Sequence, residues 1–215
     1  MTKSLYSLIL TDEIVSEIDR LAYKSGTNRS NMINQILAEY VSFTTPEMRM
    51  GRIFSALEEM LLAGDNFQRL VNNSVSVMNL RSSLDFKYNP SVKYTVELNK
   101  AEDGDIGSLK VSMRTQNSAL ITYMMEFYKL FAKMESLYVK NTEYYLENDK
   151  FVRKLKLRAK RPVSADELGT AIGEYIRVFD NCMKSYFYNI NDIQRAYYEI
   201  EHIYIAYLRA NEVQI

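Results

Sequence analysis

The sequence predicts an α+β protein, mostly helical, with a small N-terminal unit over residues 1–43 and a larger helical domain over residues 44–215 that contains a β-hairpin near 91–115. Three observations lead there. Residues 4–42 pass from a short alternating stretch into two helical patterns separated by a glycine. Residues 92–98 and 109–113 alternate apolar and polar side chains around a polar turn. Long apolar stripes at helical spacing run through 47–72, 118–151 and 165–210.

From Ser4 to Leu10, Tyr6, Leu8 and Leu10 fall on one face of an extended segment and Leu5, Ser7 and Ile9 on the other. Thr11 is placed to cap the next helix, with Asp12 and Glu13 in its first turn where negative charge is favoured. Ile14, Ile18, Leu21 and Ala22 form its apolar stripe, and Gly26 fits the left-handed stop that follows. Asn28 is the cap of a second helix whose inner side is Met32, Ile33, Ile36, Leu37 and Tyr40. Phe43 and the Thr44-Thr45-Pro46 break end the unit. A segment this small cannot cover both strand faces and both helix stripes by itself, so a second copy is expected to cover them.

These residues, SLYSLILTDEIVSEIDRLAYKSGTNRSNMINQILAEYVS, resemble the ribbon-helix-helix family of DNA-binding proteins. The resemblance covers residues 4–42 and no more of the chain. It implies an N-terminal ribbon-helix-helix dimerisation unit, in which the opening strands of two chains pair antiparallel and the four helices interlock beneath. Such a ribbon enters the major groove and touches base edges with its outward side chains. Carried onto this sequence, the groove-facing residues are Leu5, Ser7 and Ile9, while Lys3, Asn28, Arg29 and Ser30 approach the phosphate backbone. Two of the three groove residues are aliphatic, a departure from the usual basic or hydrogen-bonding readers. They can meet a thymine methyl but make no bidentate contact with a base. Residues 1–43 also hold more acids (Asp12, Glu13, Glu17, Asp19, Glu39) than bases (Lys3, Arg20, Lys24, Arg29), so attraction to DNA needs cations from elsewhere in the chain.

In the larger domain, Glu47 to about Asn72 reads as a helix with Met50, Ile53, Phe54, Leu57, Met60, Leu61, Phe67, Leu70 and Val71 on its buried side. The period changes near Asn89-Pro90: Val92, Tyr94, Val96 and Leu98 alternate, then Leu109, Val111 and Met113, which reads as the hairpin. Its acidic turn, with Glu102, Asp103 and Asp105, lacks the spacing of a calcium loop and is read as a solvated turn. Two long helices follow, Ser118 to Phe151 and Ala165 to Ala210, the second with a bend expected near Tyr188-Asn189. Between them Lys150, Arg153, Lys154, Lys156, Arg158, Lys160 and Arg161 contribute seven positive charges, with no acid in residues 150–161. Such a run either grips phosphates or an acidic surface, or is a solvated helix end.

Net charge is zero, so any nucleic-acid surface must be a local patch. Cys182 is the only cysteine and His202 the only histidine, which leaves no disulfide and no metal-ligand set to expect. No nucleophile-base pair and no glycine-rich phosphate loop is present, so neither an enzyme nor a cofactor is expected. No signal peptide or membrane span is visible, and cytoplasmic residence follows by default. The expected function is a homodimeric DNA-binding protein, a transcriptional regulator reading double-stranded DNA through an intersubunit ribbon. The alternative is a non-catalytic interaction or scaffolding protein with a protein partner, including an antitoxin or plasmid-accessory role.

Overall fold

The computed structural model describes residues 5–64, 66–72, 74–87, 89–100, 104–147, 149–159 and 161–215. The chain divides into two units, Met1–Met48 and Arg49–Ile215.

The first unit is a pair of helices, α1 (Asp12–Lys24) and α2 (Arg29–Tyr40), preceded by an extended segment. Gly26 closes α1 at φ 60°, the left-handed conformation that a side chain disfavours, and the Thr27 amide turns back to the Ala22 carbonyl. Asn28 caps α2 by accepting the Asn31 N–H at 2.9 Å. Thr11 holds the N-cap position of α1, but its side chain makes no capping bond. The small core contains Ile18, Ala22 and Met32, with Ile33 packed against them.

Residues 5–10 form no strand and make no backbone hydrogen bond among the described residues. This corrects the expected ribbon-helix-helix unit: within one chain the N-terminal region is helical, because an extended segment becomes a strand only beside another. Lys3 lies outside the described residues.

The second unit corrects the expectation of a mostly helical body with one hairpin. It is built on a six-stranded antiparallel sheet in the order β1-β2-β3-β4-β6-β5, with β1 Phe67–Leu70, β2 Val77–Ser83, β3 Ser91–Leu98, β4 Asp105–Met113, β5 Tyr144–Glu147 and β6 Lys150–Lys156. The alternating runs become β3 and β4, the middle of this sheet rather than a free hairpin. The helix expected to reach Asn72 is α3 (Pro46–Leu62); it ends before Gly64, and Phe67 and Leu70 belong to β1. The helix expected to reach Phe151 is α4 (Ser118–Tyr138), and the chain beyond it folds into the β5–β6 hairpin. The third long helix is two, α5 (Ala165–Tyr188) and α6 (Ile193–Ala210). Asn189 ends α5 with its side chain on the Ser185 carbonyl, and Asp192 caps α6 through the Arg195 N–H.

The helices cover one face of the sheet. Inward strand residues Tyr94, Val96, Leu109, Val111, Phe151 and Leu155 are buried in one core with Phe127, Phe131, Ile176, Phe179 and Tyr204 from the helices. Aromatic rings join the elements: Phe131 of α4 meets Phe179 of α5 at 4.7 Å, and Phe151 of β6 meets Phe179 across the layers at 4.9 Å. Cys182 is buried here, and burial pushes its thiol pKa up. Among the described residues no helix is long and apolar enough to cross a membrane.

Two glycines are required by close approach. Gly107 sits at the β4 bulge with φ 148°, where an added Cβ would lie 1.9 Å from the Glu97 carbonyl oxygen. On α5, a Cβ at Gly169 would lie 2.3 Å from the Ile53 carbonyl oxygen and 2.8 Å from the Ala56 Cβ of α3. Gly169→Ala is therefore expected to destabilise by about 1–3 kcal/mol through overpacking, despite alanine's advantage of roughly 1 kcal/mol inside a helix. Urea unfolding measures the sign; a gain in stability would show that α3 and α5 are not so closely packed.

Candidate nucleic-acid interface

In the first unit Leu5, Ser7 and Ile9 are all exposed, with Leu5 98% and Ile9 103% accessible. The opposite face of the segment, Tyr6, Leu8 and Leu10, is exposed as well. The helical stripes are only half satisfied: Ile14, Leu21, Ile36 and Leu37 remain open to solvent beside the buried Ile18, Ala22 and Met32. A unit with so few buried side chains and so many open ones is short of cover.

Asn28, Arg29 and Ser30 stand together at the start of α2, all exposed. Arg29 is not free for phosphate. Its guanidinium forks onto Asp19 of α1, Nε to Oδ1 at 2.7 Å and Nη2 to Oδ2 at 2.5 Å. These hydrogen bonds hold the Asp19 carboxyl below its usual range and raise the guanidinium above its own. A phosphate at this helix start must compete with that carboxylate.

The basic run is divided by strand geometry, since successive side chains of β6 point to opposite faces. Lys150, Lys154 and Lys156 stand on the sheet face away from the helices, while Phe151, Arg153 and Leu155 point into the core. Lys154 Nζ lies 4.0 Å from Asp105, and Lys156 donates to Glu143 at 2.5 Å. Beyond the strand, Arg158 donates to Thr142 Oγ1 at 3.3 Å and Arg161 pairs with Glu167 at 2.7 Å. Lys160 lies outside the described residues. The segment is thus a strand and its continuation, not a solvated helix end.

Arg153, expected in the basic patch, is instead 1% exposed and belongs to a buried centre built on Glu135. Its Nη2 lies 3.0 Å from Glu135 Oε1 and donates to the Ile215 carbonyl at 2.7 Å, and its guanidinium stacks 4.2 Å above the Tyr175 ring. Three phenols donate to the same carboxylate: Tyr144 at 2.7 Å, Tyr175 at 2.9 Å and Tyr204 at 2.8 Å. Burial first, and Glu135 second, raise the Tyr144 and Tyr204 pKa values; burial raises that of Tyr175 against the opposing pull of Arg153. Arg153 Nε and Nη1 are buried without a hydrogen-bond partner among the described residues.

Sequence reasoning missed this centre. Its one signal is Glu135, which follows Phe131 by one helical turn and so falls on the apolar stripe of α4. The centre has the form of a structural ion pair, whereas residues 5–10 are exposed and the outward lysines of β6 are half-buried. No protein-family model, no curated protein and no solved structure matches the chain.

Proposed function

We propose that this chain is a dimeric DNA-binding protein, a transcriptional regulator whose opening segments pair between two copies as an antiparallel ribbon for the major groove. The observation that carries the reading is the uncovered apolar surface of the first unit. Leu5 to Leu10, Ile14, Leu21, Ile36 and Leu37 lie open around a minimal core, and their spacing matches the family that residues 4–42 resemble. A second copy supplies both the missing strand partner and the missing cover. Leu5, Ser7 and Ile9 then face the groove, with Ser7 the one hydrogen-bonding reader among them.

The test is salt-dependent binding to genomic DNA fragments, comparing the wild-type chain with Ser7→Ala plus Arg29→Ala. The expected result is that the variant loses binding to selected sites while weak binding to other fragments survives at low salt. Unchanged site selection would reject the reader. The second reading, a protein-interaction or scaffolding module, rests on the aliphatic Leu5 and Ile9 and on the capture of Arg29 by Asp19. It predicts a dimer with no selected DNA fragment.

A further inference from the structure

The sheet face turned away from the helices carries cations from four strands. Outward positions are Val77, Asn79, Arg81 and Ser83 on β2, Ser91, Lys93, Thr95 and Glu97 on β3, Ser108, Lys110 and Ser112 on β4, and Lys150, Val152, Lys154 and Lys156 on β6. The register sets Arg81 directly opposite Lys93, Lys93 opposite Ser112, and Ser112 opposite Lys150. Lys110 lies opposite Thr95 and Val152, which makes it the diagonal neighbour of Lys93, Glu97, Lys150 and Lys154. Diagonal positions are about 7–8 Å apart, within reach of long side chains.

Arg81, Lys93, Lys110 and Lys150 form no ion pair among the described residues. Of the acids on this face, Glu97 is diagonal to Lys110, Asp105 lies beside Lys154, and Glu143 pairs with Lys156. Like charges placed opposite one another weaken a sheet, so Arg81 beside Lys93 carries a cost, set against the hydrogen bond that Arg81 Nε donates to Gln68 Oε1 of β1 at 2.9 Å.

We propose that this face docks the phosphate backbone of double-stranded DNA. The charge is complementary to a phosphodiester chain, and the cations continue across the sheet from β2 to β6. Ser108, Ser112 and the Asn79 amide between them are able to donate to phosphate oxygens, while the Thr95 hydroxyl donates to Asn79 Oδ1 at 2.8 Å. Among the described residues the one aromatic side chain on this face is Tyr145 of the edge strand β5, opposite Val152, so the face offers a single ring at its rim and no run of rings for successive unpaired bases. It reads backbone and not sequence. The proposal shares its ligand with the function above but does not depend on the opening segment.

The experiment measures binding of the full chain to a short random-sequence duplex over a range of salt concentrations. Lys93→Gln, Lys110→Gln and Lys150→Gln are combined in one variant. Loss of three phosphate contacts is expected to reduce the slope of log K against log salt by about 2.7, and to weaken binding by about a hundredfold or more near 0.1 M salt. The arginine version of the same triple substitution is expected to keep both slope and affinity, and thermal midpoints of both variants should match the wild type or exceed it. An unchanged slope in the glutamine variant overturns the proposal. So does a wild type with no affinity for duplex, or one that binds poly-glutamate in its place. The Ser7→Ala plus Arg29→Ala chain separates the two ideas: its site selection reports on the ribbon, and its salt slope on random duplex reports on the sheet.

Discussion

Glu135→Ala is expected to destabilise the second unit by about 3–5 kcal/mol, the cost of stranding one member of a buried ion pair. Glu135 is fully buried and takes three phenol hydrogen bonds in addition to Arg153. Removing the carboxylate leaves a buried guanidinium with only the Ile215 carbonyl and the Tyr175 ring, and leaves three hydroxyls without acceptors. Each of those hydroxyls adds a desolvation penalty when unsatisfied. Glu135→Gln keeps the shape and one acceptor oxygen, so it should cost less than alanine but more than a surface change. The combination Glu135→Leu with Arg153→Met removes both charges and is expected to recover much of the loss, since a buried pair contributes little net stability over apolar packing. Chemical denaturation measures all three. A cost below about 1 kcal/mol for Glu135→Ala would mean that the centre is reached by water.

Leu8→Asp is expected to dissociate the proposed dimer. Tyr6, Leu8 and Leu10 share one face of the opening segment, and Leu8 is 62% exposed in the single chain. Pairing of two copies over the helices would bury that side chain twice, by symmetry. Fully burying a leucine contributes about 1.5–3 kcal/mol, so losing both copies weakens association by about 3–6 kcal/mol, roughly two to four orders of magnitude in the dimer constant. An aspartate at the same place adds the cost of burying a carboxylate. Sedimentation over a dilution series reads the shift, and the unfolding of the second unit serves as the internal control. A variant that remains as dimeric as the wild type would place the subunit contact elsewhere.

The sequence announced local features well where a single residue decides them. Gly26 and the Asn28 cap follow from side-chain chemistry within a few positions. The strand pair around residues 92–113 was visible because its inward positions are all apolar. The outer strands were not. In β6 the inward residues are Phe151, Arg153 and Leu155, and an arginine in the middle hides the alternation. Nothing near it in the chain shows that Glu135 waits for it in the core. In β1 only Phe67 is fully buried, and its spacing also continued the stripe of α3. Of the surface residues singled out, Arg29 was placed correctly at the start of α2, but its partner Asp19 is ten residues away on another helix. The cationic face was half legible as the run at 150–156; Arg81, Lys93 and Lys110 join it only through strand register.

The pairing of opening segments is tested most directly by hydrogen exchange at the amides of residues 5–10, which have no backbone partner among the described residues of a single chain. Slow exchange is expected in concentrated wild-type protein, lost on dilution and absent from Leu8→Asp. Exchange as fast as in an unstructured peptide at every concentration would contradict the pairing.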